Sequence, residues 1–178
     1  MGFTKQTMRV VVYKTPIFFC FFSKNKFMEK LLAIQLHNRK IFHYYLNQFI
    51  LDQLNRIPKG FNNNILWNIA HTVVTQQLLV YKISGLDMHI PKEWVGLFSK
   101  GTKPERAYTA EQVTAIDAAL FSTHDALEKD ISADVFKEYT PYTTSTGMVL
   151  DSVETTLNFI LFHDGIHLGS ILALAKLV

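Results

Sequence analysis

From Leu150 to Val178 the only ionised side chains are Asp151, Glu154, Asp164 and Lys176, and this stretch constrains the fold more than any other. A run this long and apolar, if helical, has to hide against a protein interior or a bilayer. His163, Asp164 and His167 at its centre would sit where a membrane span meets hydrocarbon, so the expectation is a core helix with no membrane crossing. With so few charges it is expected to be the most buried helix of the fold.

The rest of the chain supplies partners for it. Between Glu29 and Asn55 the residues Leu31, Leu32, Leu36, Ile41, Phe42, Tyr45, Leu46, Phe49, Ile50 and Leu54 recur at three- and four-residue steps, and Pro58 with Gly60 follows. That pattern predicts one long amphipathic helix with a stop behind it. A second helix is expected from the capping cluster Asn62, Asn63, Asn64 to Gly85. Residues 85–108 hold Gly85, Pro91, Gly96, Gly101 and Pro104 among apolar side chains, a packed loop. Thr109 followed by Gln112 opens a third helix that runs to about Asp130, and Tyr139–Gly147 reads as an extended loop. With no strand-like alternation, the fold class is all-α, a four-helix bundle with two longer loops.

Length and charge narrow the function. A chain of 178 residues, 48% hydrophobic and 19% charged, suits one globular domain. Its net charge of +3 comes from one end: residues 1–27 hold five basic side chains and no acid, leaving 13 basic against 15 acidic from Met28 onward. The body carries no basic stripe, so no nucleic-acid partner is expected. The apolar segment Val10–Phe22 is broken by Lys14 and Pro16 and is too short to span a bilayer, so residues 1–27 read as an N-terminal extension and 28–178 as the domain. Cys20 is the only cysteine. No internal disulfide can form, and a reducing cytoplasm is the expected location.

His163 and His167 lie four residues apart and so share a helix face one turn apart. The pair is weak evidence alone, because seven histidines make a chance pair ordinary. His71, flanked by Trp67, Ile69, Ala70 and Val74 on the second helix, adds a third imidazole. Three neutral imidazoles with a position left open are the ligand set of a catalytic rather than a closed structural metal site. His37, His43, His89 and His124 have no partner at ligand spacing and read as ordinary polar side chains. Thr75 and Asn68 stand where they can orient His71. Asp164 points about 100° away from His163 and is not expected to act as a base.

The stretches NNILWNIAHTVVTQQLL and STGMVLDSVETTLNFILFHDGIHLGSILAL resemble the DinB/YfiT-like superfamily, whose signature is a Trp and a His on the second helix and His-x-x-x-His-x-Gly near the end. Trp67, His71, His163, His167 and Gly169 occupy those positions, and the resemblance covers about residues 29–178. It implies an up-down-down-up bundle, often dimeric, binding one divalent ion, zinc or nickel, through His71, His163 and His167. Some members resemble thiol-dependent S-transferases or isomerases. Ser170 stands where the family often has Gln.

The function expected from these residues is that of a metal-dependent transferase or hydrolase acting on a small molecule, with a low-molecular-weight thiol as a possible second cofactor. Trp94 and Phe98 are candidate apolar walls for that molecule, and Lys100, Lys103 or Arg106 candidate carboxylate binders. The alternative is a metal-binding or stress-related bundle without turnover.

Overall fold

The computed structural model describes the backbone from Ile17 to Val178 and side chains from Lys26. Most of the segment read as an extension lies outside the described residues. The elements are α1 (Ile17–Gln48), α2 (Leu51–Asn55), α3 (Ile65–Val80), a 3-10 turn at Lys82–Ser84, α4 (Glu93–Phe98), α5 (Ala110–Ser132), β1 (Tyr142–Thr143), β2 (Val149–Leu150) and α6 (Val153–Leu174). The protein is mostly helical, and α1 and α3 each pack against both α5 and α6, so the four long helices enclose one interior.

Helix starts follow their capping chemistry. The Asn64 side chain accepts from the Trp67 N–H, Thr109 and Gln112 form a capping box, and Ser152 accepts from the Thr155 N–H. Such caps are each worth about 1 kcal/mol. Gly85, at φ +70°, ends the 3-10 turn in the left-handed region that only glycine enters freely.

Three expectations are corrected. The helix expected over Glu29–Asn55 breaks at Ile50, which is extended and donates its N–H to Gln53 Oε1. The break lets Leu54 reach the core and places Asn55 to hold both N–H and C=O of Tyr108. Although no strand was expected, β1 and β2 form a small antiparallel hairpin with Tyr142 opposite Leu150, turned near Gly147 at φ +84°. The most buried helix is α3, not α6: every α3 residue except Thr75, Leu78 and Leu79 is buried, whereas Phe162, Ile166 and Leu172 of α6 are exposed. By length and composition α6 alone among the described helices could cross a membrane.

The interior is layered. One apolar cluster gathers Phe42, Leu46, Ile69, Val73, Phe98, Ile116, Leu120 and Ile171. A second gathers Met28, Leu31, Leu32, Val80, Tyr81, Leu127, Leu157 and Ile160. Between them in sequence, on all four helices, fall buried polar side chains: Gln35 and Arg39 on α1, Gln76 and Gln77 on α3, Thr123 and His124 on α5, and Asp164 on α6.

Candidate metal centre

His71 stands mid-way along α3, and His163 and His167 face it from α6, the helix packed against α3. The three ring centroids are 4.5–5.1 Å apart, and one ligand nitrogen from each ring lies within 4.8 Å of the other two. Small side-chain rotations bring such a set onto one ion.

Two of the rings are held in a defined tautomer. His71 Nδ1–H donates to the Phe98 carbonyl at the end of α4, which leaves Nε2 with its lone pair. His167 Nδ1–H donates to Asn68 Oδ1 at 2.8 Å, and the Asn68 amide in turn donates to Asn63 Oδ1 and the Asn64 carbonyl. A backbone carbonyl or amide oxygen behind an imidazole is the usual arrangement around a metal-bound histidine. Trp67 stacks on His71 with centroids 4.6 Å apart and planes 9° from parallel, and its indole N–H is fixed by the Leu97 carbonyl and Thr102 Oγ1. The signature tryptophan is thus one wall of the triad.

Burial keeps the rings neutral. It lowers the pKa of His71, and it pushes His163 and His167 down to about 3, with proximity of the other imidazoles adding to the effect. Neutral imidazole is the form that binds a metal. His163 Nδ1 is buried without a hydrogen-bond partner. An unpaired buried nitrogen is costly, and three clustered imidazoles that resist protonation fit a divalent cation better than they fit an apolar core.

The triad opens into a cavity of about 370 Å³. Its walls include Trp67, Phe159 and the three incompletely buried residues of α3, Thr75, Leu78 and Leu79, so the gap in that helix's burial is the cavity itself. Lys100 lines it, as do Tyr142, Thr144 and Ser145 of the hairpin.

The other candidates fall as follows. Thr75 does not support His71 from behind; its Oγ1 is 3.3 Å from Nε2, on the ligand side. Asn68 orients His167 rather than His71. Trp94 and Phe98 are buried in the apolar core and do not line the cavity, because α4 turns them inward. Lys103 and Arg106 line a neighbouring cavity with Glu105, and of the three candidate cations Lys100 alone faces the triad. Asp164 is buried away from the cavity and accepts from Asn38 Nδ2 at 3.4 Å. Burial raises its pKa to about 6 against the pull of Arg39. Of the remaining histidines, His124 is buried against Gln35, His43 meets Asp117, His89 meets Asp130, and His37 is exposed.

Sequence reasoning missed Arg39, the Phe98 carbonyl and the hairpin. Arg39 was detectable, since it falls on the inward stripe Leu32, Gln35, Arg39, Phe42, Leu46. A backbone carbonyl carries no residue-type signal at all.

A model of the DinB superfamily matches residues 36–171, a span that contains His71, His163 and His167. No curated protein and no solved structure matches the chain. The chain belongs to the DinB superfamily, and its three-histidine cluster fits a metal-binding protein.

Proposed function

We propose that this DinB-superfamily protein is a four-helix bundle of up-down-down-up type that binds one divalent ion, zinc or nickel, and uses it to act on a small molecule in the cytoplasm. The observation that carries this is the convergence of three neutral imidazoles, two of them fixed from behind, at the floor of a cavity. A scaffold-only role does not call for rings of fixed tautomer facing open space.

His71, His163 and His167 would hold the ion. When bound, the ion would polarise a donor atom of the substrate or lower the pKa of a coordinated water or thiol. The chain's own residues do the rest. Phe98 and Asn68 keep the ring nitrogens aimed, Trp67 and Phe159 exclude water from one side, and Thr75 Oγ1 lies where it can donate to a group beside His71 Nε2. Among the described residues no Asp or Glu lines the cavity, so they offer no carboxylate base at the centre. That favours transfer from a thiol that brings its own nucleophile over hydrolysis with protein base catalysis.

The test is elemental mass spectrometry on protein purified without a polyhistidine tag, beside the His71→Ala and His167→Ala variants. About one equivalent of a divalent metal, lost in both variants, is expected. No metal above background, and no uptake of added zinc or nickel, would overturn the proposal.

A further inference from the structure

The charge balance of the cavity points to the kind of molecule it takes. Three neutral imidazoles leave a divalent ion with its full charge, in contrast to sites where carboxylate or thiolate ligands cancel part of it. Among the described residues nothing else in the lining offsets that charge: the titratable side chains there are the three histidines, Lys100 and Tyr142, and none is an acid. Asp164, the carboxylate nearest in sequence, is buried outside the cavity and already faces the fully buried Arg39. Lys100 adds one more positive charge. It has no ion pair among the described residues, unlike Lys137, which is paired with Asp134.

Resting on the metal assignment above, the geometry points to a substrate with two polar ends: a donor atom that binds the ion, and a carboxylate or similar anion that meets Lys100, joined by an apolar segment lying against Trp67, Leu78 and Phe159. The occupant supplies the negative charge that the protein leaves out. A neutral molecule of the same shape would leave Lys100 unused and the charge at the ion unbalanced. The cavity of about 370 Å³ suits a small molecule and excludes a folded partner. Thr144 and Ser145 line the hairpin side of the same cavity, and a serine hydroxyl there can donate to an anion.

The experiment uses the full chain loaded with cobalt(II), whose visible absorption reports a change in its ligands without any turnover. The probes are monohydroxamates of dicarboxylic acids from four to eight carbons, each titrated beside the alkyl hydroxamate of equal length, whose far end is uncharged. The expected result is that one chain length of the acid binds about tenfold more tightly than its uncharged counterpart, the size of one hydrogen bond to a charged group. That preference should vanish in Lys100→Met, persist in Lys100→Arg and be untouched in Lys103→Met, with the uncharged probes binding all four proteins alike. Equal binding of charged and uncharged probes to the unaltered protein, or an unchanged preference in Lys100→Met, overturns the inference while leaving the metal centre standing. A chain that takes up no cobalt shows no absorption before any probe is added, which overturns the metal assignment and this inference together.

Discussion

Arg39 Nη1 donates to Thr72 Oγ1 at 3.0 Å, one residue past His71. The same guanidinium reaches Gln76 Oε1 at 3.4 Å and lies within electrostatic range of Asp164, one residue past His163. One buried cation on α1 therefore contacts α3 beside one proposed ligand and faces α6 beside another. The two helices that carry the triad are tied together from behind it.

Removing that cation is expected to be costly. Arg39→Ala leaves Asp164 buried with no opposing charge and should lower the unfolding free energy by about 3 to 5 kcal/mol, measured by urea titration. Arg39→Met keeps most of the volume and should cost less. Combining Arg39→Met with Asp164→Asn should cost less than the sum of the two single changes, since each single variant strands the other's partner. Strictly additive losses would show that Arg39 and Asp164 do not interact.

Asn68 gives a prediction about the metal alone. Its Oδ1 accepts from His167 Nδ1–H, and among the described residues no other hydrogen bond fixes that ring. Asn68→Ala is expected to weaken zinc binding about 10- to 100-fold, the usual effect of losing a partner behind a metal-bound imidazole. Competition with a coloured chelator measures it, and circular dichroism checks that helix content is kept. Unchanged affinity would mean that His167 is oriented by packing.

How much of this was legible in the sequence depends on the kind of signal. The caps at Asn64 and Thr109 could be read because capping is local chemistry, and the triad because helical spacing and a tryptophan one turn before His71 mark it. The Ile50 break was hidden: Phe49, Ile50 and Leu51 continue the apolar pattern, and the cap that Gln53 gives the Ile50 N–H carries no apolar signal. The burial of α6 was overestimated because apolar composition does not say whether a face meets the interior. Phe162, Ile166 and Leu172 are as apolar as a core yet point outward. Trp94 and Phe98 were misplaced for a related reason, since a loop's direction is set by tertiary contacts such as that of Trp67 with the Leu97 carbonyl.

Acid should unfold the metal-free protein earlier than an ordinary helical domain. His163 and His167 have folded pKa values of about 3 against an ordinary 6.5. Between those limits the unfolded chain binds more protons, so stability is full above about pH 6.5 and falls as pH drops toward 3. Asp164, raised to about 6 from 3.8, acts oppositely and favours the folded state as pH falls through 6. Two histidines with the larger shifts outweigh one carboxyl. The urea midpoint should be level from pH 8 to 7 and decline below 6.5, less steeply in His163→Phe and more steeply in Asp164→Asn. A midpoint constant from pH 7 to pH 5 would contradict this assignment.

The exposed side of α6 bears on self-association. Phe162 and Ile166 stand one turn apart, with Gly165 and Gly169 beside Phe162 and Leu172 at the far edge, a broad apolar strip spanning about 120° of the helix that carries two of the proposed ligands. A strip of this kind favours burial against a second surface, and a second copy of the chain presents the same strip in matching form, as an isologous dimer requires. Each protomer is expected to keep its own metal, because the triad lies wholly within one chain. Sedimentation at micromolar concentration should therefore show a dimer, and Ile166→Glu should convert it to monomer with its metal content unchanged. A monomer in the unaltered protein would sink the dimer. Loss of metal along with dissociation would instead show that the interface helps hold α6 in place against α3.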